Sequence, residues 1–235
     1  DDKQVWVVGS DARGTAYGVL ELSRLAGVSP WTWWGDVHPE RKSRLTLPTD
    51  YRTFQHPSVE YRGIFLNDED WTLRPWSYGR FDKAPFGVIS KSTYKKVFQL
   101  LLRLRANAIW PAMHTGTVSF FQTPGAKAVA DSCGIAIGSS HCEPLLRNNV
   151  GEWDEKKRGA FNYITNRQSV QDYWIERLKE VKGSKGGNLL TIGMRGIHDG
   201  SMQGVKTMKE KFDALQLVID DQQKLIGKYL GDPAK

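Results

Sequence analysis

The sequence predicts an α/β fold with a parallel sheet, and three observations support this. From residue 61 onward, short apolar segments alternate with longer segments of helical periodicity. The apolar segments are nearly continuous in hydrophobic residues, as expected of strands that are buried on both faces. Long loops with ionisable residues follow the strands, whereas short loops follow the helices. This asymmetry is typical of a (β/α)8 barrel, of which the first four βα units are predicted here, preceded by part of a small α/β domain.

The part before residue 61 predicts one strand and one helix. A strand at 5–8 and a turn at 9–14 lead into a helix at 15–26, with Gly27 as its C-cap. Three tryptophans then fall within four residues, at 31–34. We interpret them as an aromatic plug between domains, with a sugar-stacking platform as the alternative.

Residues 38–60 contain three prolines and little periodicity, which predicts a linker with a short strand at 44–47. The predicted domains are therefore 1–50, the end of an N-terminal α/β domain plus linker, and 51–235, the first half of the barrel.

Four strand–helix repeats follow the linker. They are strand 61–67 with helix 92–106, strand 107–113 with helix 125–133, strand 135–140 with helix 168–182, and strand 188–193 with helix 204–230. A complete barrel needs ~250 residues. We therefore expect a half barrel that the remainder of a longer protein completes, rather than a small doubly wound sheet. A half barrel would leave strand 61–67 or strand 188–193 with an open edge and would not fold autonomously.

Composition argues against two classes of partner. The chain of 235 residues is 40% hydrophobic and 25% charged, an ordinary globular balance. The net charge of +7 is scattered along the sequence, which favours a solvated surface over a nucleic-acid footprint. The longest apolar run, 97–104, is interrupted by Gln99 and Arg103, so no membrane span is predicted.

The chain opens on Asp1 without a leader, as if inside a larger protein.

Several chemical motifs can be set aside. The turn at 9–15 lacks the Lys-Ser/Thr of a phosphate loop, and no Gly-x-Ser-x-Gly elbow is present. Cys133 and Cys142 cannot form a disulfide framework or a Cys-rich zinc site, and His141 lacks the downstream cysteine pair of zinc deaminases. A metal site from His114, His141 and His198 would need convergence through the fold. No cofactor and no metal are predicted.

After these exclusions, the remaining candidates for a chemical site are carboxylates at strand ends. Asp68, Glu69 and Asp70 end the first strand, Glu143 follows the third and Asp199 follows the fourth. Carboxyl ends of parallel strands lie at one edge of a sheet, so these groups are expected to face one pocket. Glycoside hydrolysis requires such a pair, one protonated and one ionised. Nearby tryptophans favour a carbohydrate site.

The same segments resemble glycoside hydrolase family 115, the xylan α-1,2-glucuronidases. The matching segments, collinear over nearly the whole chain, are 13–18 (RGTAYG), 27–34 (GVSPWTWW), 57–69 (PSVEYRGIFLNDE), 101–107 (LLRLRAN), 110–113 (WPAM), 139–144 (SSHCEP) and 191–196 (TIGMRG). The resemblance implies a (β/α)8 catalytic barrel after a small α/β domain, and removal of 4-O-methyl-glucuronic acid from glucuronoxylan with inversion. It also implies a secreted, periplasmic or extracellular protein.

The chain departs from the family pattern at three places. Ile197-His198-Asp199 replaces Asp-Gly-Asp, Cys142 replaces a second His, and His114 replaces a Trp. Asp199 is retained, whereas the fine substrate contacts are put in doubt.

The predicted site follows from these segments. Asp199, with Asp68 or Glu69, is expected to do the acid–base work, and Arg195 to bind the uronic carboxylate through its guanidinium fork. Because Arg195 would lower the pKa of a carboxylate that it touches, Asp199 is the better candidate for the ionised base. The acid would be Asp68, Glu69 or a residue past Lys235. The other predicted substrate-binding residues are Asn67, Trp110, His114, His141, Glu143, Tyr163, Asn166 and His198.

Two alternatives stay open on the sequence. One is a non-catalytic carbohydrate-binding relative, and the other is a glycosidase for a different sugar on the same fold. The predicted partner is a polysaccharide, glucuronoxylan, with no nucleic acid and no membrane. The sequence leaves a homodimer open.

Overall fold

The fold of the chain is α/β, with one parallel sheet. The computed structural model describes residues 4–67 and 70–231. Within these residues the sheet has four strands in the order of the sequence: β1 (Gly63–Phe65), β2 (Ala108–Trp110), β3 (Ala136–Gly138) and β4 (Asn188–Leu189). All neighbouring strands are parallel, with Gly63 beside Ala108 and Ala108 beside Ala136. The predicted parallel α/β class is confirmed.

The α-helices of the described residues are α1 (Ala12–Leu25), α2 (Leu73–Trp76), α3 (Lys91–Arg103), α4 (Ala126–Cys133), α5 (Asn149–Glu152), α6 (Glu155–Arg158), α7 (Arg167–Val181) and α8 (Met208–Tyr229). Four of them, α3, α4, α7 and α8, match the helices of the predicted repeats. A π-helical turn covers Ser77–Phe81, and 3-10 turns cover Phe120–Gln122 and Pro144–Leu146. The short helices α2, α5 and α6 lie in loops that the sequence left without structure. No helix in the described part of the chain is long and apolar enough to cross a membrane.

Local sequence explains where the helices begin and end. The side chain of Ser90 accepts hydrogen bonds from the N–H groups of Ser92 and Thr93 at the start of α3. Thr207 and Glu210 form a reciprocal capping box at the start of α8. Gly27 lies just after α1 with φ +92°, a conformation that favours glycine over residues with a side chain.

Two apolar clusters hold the layers together. The first packs α3 and α4 on the sheet, with Tyr94, Phe98 and Leu101 against Ile109 and Ile137. On α3 the side chains of Tyr94, Val97, Phe98 and Leu101 are buried, whereas Leu104, just after the helix, is 44% exposed. The second cluster joins α7 to α8 and to the long loop after β3; its largest side chains are Trp174, Tyr163, Tyr173 and Phe161.

Helix α1 is attached to the end of α3. The hydroxyl of Tyr17 donates to the carbonyl of Ala106, and Arg105 forms a 2.6 Å ion pair with Glu21, which is buried. The hydrogen bond from Arg24, together with Arg105, lowers the pKa of Glu21. The predicted boundary near residue 50 remains a prediction.

The predicted strand at 5–8 is wrong in the described structure. Residues 5–8 are not paired as a strand, and Trp6 and Val8 are 80% and 86% exposed. An apolar run becomes a strand only where another strand accepts its hydrogen bonds, and within residues 4–67 and 70–231 none does so. The short strand predicted at 44–47 is absent for the same reason.

The edges of the sheet match the expectation from the sequence. β1 and β4 are the terminal strands of the sheet, each paired on one side only within the described residues. An unpaired strand edge is a template for further pairing. This arrangement is consistent with part of a (β/α)8 barrel, which stays a prediction.

The tryptophans at 31–34 pack onto the segment that follows β1. Trp33 lies 4.9 Å from Trp34 and 5.6 Å from Trp76, between ring centroids, and Trp76 stacks on Phe81. Such packing is what the aromatic-plug interpretation predicts. Trp33, Trp34 and Trp76 also line an open cavity of about 610 Å³, so the sugar-stacking alternative stays open.

Candidate active site

The carboxyl ends of β3 and β4 bring together residues that lie far apart in sequence. Thr191 after β4 donates from its hydroxyl to the carbonyl of Ser139 after β3, at 2.6 Å. The N–H of Leu145 donates to the carbonyl of Thr191, at 2.9 Å. These bonds hold the loop 139–146 beside the loop 191–201, so the polar groups of both loops face each other.

Asp199 is the centre of this arrangement. Its Oδ1 lies 2.8 Å from Nε2 of His141 and 3.0 Å from Nη1 of Arg195. Its Oδ2 lies 3.3 Å from Nδ1 of His198. Arg195 also donates through Nη2 to the backbone carbonyl of Asp199, at 2.9 Å. We call these four residues, His141, Arg195, His198 and Asp199, the Asp199 cluster.

The cluster is open to solvent. The side chains of His141, Arg195 and Asp199 are 59%, 44% and 56% exposed. The hydrogen bond from His141, followed by the charges of His198 and Arg195, lowers the pKa of Asp199 below its ordinary value. Asp199 is therefore ionised across the physiological pH range.

The loop that carries the cluster is shaped by glycine. A side chain on Gly196 would place its Cβ 2.5 Å from the carbonyl oxygen of Ser201, and the N–H of Gly196 donates to the carbonyl of Gly200. Only a residue without Cβ allows this tight return of the chain. The return places Arg195 and Asp199 side by side.

The turn after β3 presents His141 outward and keeps its neighbours inside. Ser140, Cys142 and Glu143 are buried, with exposures of 0%, 1% and 7%. The carboxylate of Glu143 accepts from the N–H of Ser140 at 3.4 Å, and the hydroxyl of Ser139 donates to the carbonyl of Glu143 at 2.6 Å. Burial raises the pKa of the Cys142 thiol, and the nearby charges of Glu143 and Asp199 act in the same direction. The side chain of Glu143 is therefore buried and bonded within its own turn.

The ends of β1 and β2 form a second polar pair. Nδ1 of His114 lies 3.1 Å from Oδ1 of Asp70, and both side chains are partly exposed. Asn67 is exposed at the end of β1. Asp68 and Glu69, the predicted partners of Asp199, lie outside the described residues.

Trp110 lies between these two groups on the sheet. Its indole packs on Phe65 at 5.5 Å between ring centroids and is 40% exposed. A Cβ on Gly138 would lie 2.3 Å from Cδ1 of Trp110, so glycine at this position of β3 makes room for the ring. Trp110 is therefore partly exposed at the carboxyl end of β2.

Two predicted substrate-binding residues have structural roles in the described structure. Tyr163 is fully buried, stacks on Trp174 and donates to Asp221 at 2.7 Å. Burial and the carboxylate of Asp221 raise its pKa to about 12. Asn166 donates from its amide to the carbonyls of Arg158 and Ala160. Tertiary packing places Tyr163 in the second apolar cluster, whereas Asn166 bonds to the backbone of its own loop.

Sequence reasoning missed two residues of this region. Asp70 was one of three neighbouring carboxylates, and only its bond to His114 distinguishes it. Cys142 was excluded from metal binding by cysteine count alone, although it directly follows His141. Among the described residues, His141, Cys142 and Asp199 are the group whose side-chain donor atoms lie close enough to hold a metal ion, all within 4.8 Å of one another.

A buried ionic network fixes the loop after β3 to α7. Glu152 accepts from Arg147 at 2.8 Å and from Arg177 at 2.7 Å, and its side chain is only 3% exposed. Arg147 also donates to the carbonyl of Tyr173 and to Glu176. The network ties the loop after β3, at Arg147 and Glu152, to α7.

Comparisons with known proteins agree with this architecture. A search of curated proteins found no match. The structure is similar to that of BtGH115A, described as a family GH115 4-O-methyl-α-glucuronidase with specificity for decorated arabinogalactans. The TM-score is 0.89 and the identity 52%; the match covers 94% of this chain and 29% of that chain. This chain therefore spans less than a third of the relative's length. The model of glycosyl hydrolase family 115 matches residues 54–235. The chain belongs to glycoside hydrolase family 115.

Proposed function

We propose that this chain is part of the catalytic domain of an α-glucuronidase, which removes α-1,2-linked (4-O-methyl)glucuronic acid from a polysaccharide with inversion. The observation that carries the proposal is the Asp199 cluster, where an ionised carboxylate and a guanidinium lie side by side at the carboxyl edge of a parallel sheet. A uronic acid substrate needs a cation for its carboxylate and a base for water. Family membership and the GH115 relative support the same class of chemistry.

Arg195 is the proposed uronate-binding group. A guanidinium carries five N–H donors in a planar fork, and two are engaged with Asp199. The partly exposed side chain can offer others to the two oxygens of a carboxylate. His198 beside it would add positive charge when protonated.

Asp199 is the proposed general base. Its lowered pKa keeps it ionised, so it can accept a proton from the water that attacks the anomeric carbon. The general acid is then Asp68, Glu69 or a carboxylate from the remainder of the protein. β1 and β4 are three strand spacings apart, about 14 Å between backbones in a flat sheet. Inward side chains from both ends would bring two carboxyls toward the ~6.5–9.5 Å that inversion requires.

Two polymers are candidates for the polysaccharide substrate. The resemblance favours glucuronoxylan, whereas the named relative acts on decorated arabinogalactans. Trp110, Asn67 and His114 are the proposed contacts that distinguish the two backbones. Secretion, to the periplasm or outside the cell, follows from a polymeric substrate and forms part of the proposal.

The test uses the full-length protein that carries this chain. Release of glucuronic acid is measured from both polymers for the wild type and for Asp199→Asn. We expect kcat to fall by ~10²–10⁴-fold with the asparagine, because general-base catalysis is worth that much. Asp213→Asn is the matched control: Asp213 is equally exposed, at 56%, and is also paired with a cation four residues before it.

Two outcomes would contradict the proposal. If wild-type protein binds the polymers but releases no sugar, the non-catalytic alternative is correct. If NMR shows the α-anomer as the first product, the reaction retains configuration, and the role of Asp199 as base toward water is wrong.

A further inference from the structure

The donor atoms of His141, Cys142 and Asp199 converge at the edge of the Asp199 cluster. One ligand atom from each lies within 4.8 Å of the others. Cys142 is buried, whereas His141 and Asp199 are more than half exposed. The sulfur of Cys142 therefore lies on the buried side of the group, and the imidazole of His141 and the carboxylate of Asp199 lie on its solvent-exposed side.

These three donors are the ligand types that zinc uses in proteins. Zinc binds sulfur at ~2.3 Å and nitrogen or oxygen at ~2.0–2.2 Å, so tetrahedral neighbours lie roughly 3.3–3.8 Å apart. The observed separations, from 2.8 Å between His141 and Asp199 up to 4.8 Å, bracket that range. The adjustment needed is about an ångström, mostly in exposed side chains. His198, whose Nδ1 is 3.3 Å from the other oxygen of Asp199, lies where a fourth ligand could come from.

We propose that His141, Cys142 and Asp199 form a binding site for a thiophilic divalent ion of the Zn²⁺ class, and that its occupancy blocks the active site. Binding replaces the thiol proton of Cys142, which passes to solvent, so a thiolate and a carboxylate offset the charge of the ion. Arg195 keeps its bond to the backbone carbonyl of Asp199. Because the carboxylate becomes a ligand, it can no longer act as a base. The blocking part of this inference rests on the proposed function.

The binding test needs no activity. The full-length protein, freed of metal, is titrated with ZnCl₂ by calorimetry and with CoCl₂ by absorbance, where a Co²⁺–thiolate charge-transfer band reports sulfur ligation. We expect one ion per chain and a thiolate band in the wild type. Both should be lost in Cys142→Ala and weakened at least tenfold in His141→Gln, an exposed position whose change does not threaten folding. Cys133→Ala, at the other cysteine of the chain, should bind as the wild type does.

The outcomes distinguish the metal site itself from its proposed role in blocking the active site. Equal Zn²⁺ affinity in Cys142→Ala and wild type, or a Co²⁺ complex without a thiolate band, overturns the site. If the site binds Zn²⁺ but glucuronic acid release continues at full occupancy, the blocking role is wrong. Metal binding in a protein that hydrolyses neither polymer leaves the site standing and refutes the proposed function instead.

Discussion

The buried carboxylate of Glu152 offers the sharpest test of how the loop after β3 is held. Its side chain, 3% exposed, lies between Arg147 and Arg177, whose side chains are 9% and 3% exposed. Replacing Glu152 with glutamine keeps the shape but removes the buried counter-charge of two buried guanidinium groups, which keep only the partly exposed carboxylates of Glu176 and Glu180. Removing one partner of a buried ion pair costs ~3–5 kcal/mol, because the remaining charge is desolvated and uncompensated.

Glu176 supplies the matched control. It also accepts from Arg147 and from Arg158, yet its side chain is 53% exposed. Burial alone would raise its pKa, but the bonds from Arg158 and Arg147 outweigh this and lower it. Because water screens the pairs of Glu176, its replacement by glutamine should cost less than ~1 kcal/mol.

Hydrogen exchange followed by mass spectrometry measures the local loss of stability that each substitution causes in the full-length protein. For Glu152→Gln we expect the protection of amides in segments 147–158 and 173–181 to fall by ~10²–10³-fold, the equivalent of ~3–4 kcal/mol. Glu176→Gln should change it by less than ~5-fold. Equal, small losses in both variants would refute the reasoning, since they would mean that burial of the network does not govern its strength.

Three further predictions concern the site and its scaffold. In the pH profile of kcat/KM, His141→Ala should move the acidic limb upward, because the hydrogen bond from His141 is the largest cause of the lowered pKa of Asp199. The ionised form would then be lost as the pH falls through a higher value, and an unmoved limb would exclude Asp199 as the base. Gly138→Ala should displace Trp110, raising KM for polymer more than it lowers kcat, and unchanged tryptophan fluorescence and KM would contradict the 2.3 Å clash. Gly227→Ala, on the exposed face of α8 with no atom near its Cβ, should raise the free energy of unfolding by ~0.5–1 kcal/mol in a denaturant titration, and a loss of stability would show a hidden contact.

Local sequence determined the elements and their order. The apolar runs at 61–67, 107–113, 135–140 and 188–193 each contain an observed strand, although the paired segments are only two or three residues long. The predicted helices 92–106 and 204–230 begin within four residues of the observed starts of α3 and α8, where Ser90 and Thr207 are the N-caps. The segments that resemble family 115 belong to the same category, since they are contiguous stretches of the chain.

Tertiary structure decided which predicted side chains meet. Arg195 and Asp199 are four residues apart and share one loop, so their pairing follows from the sequence. The bond of His141 to Asp199 spans 58 residues and exists because β3 and β4 are adjacent and parallel. The burial of Tyr163 against Asp221, also 58 residues away, is equally non-local. An apolar run such as 5–8 likewise predicts a strand, but only a hydrogen-bonding neighbour makes it one. Sequence patterns record the burial and hydrogen bonding that each segment needs, whereas the fold alone specifies which distant segment supplies them.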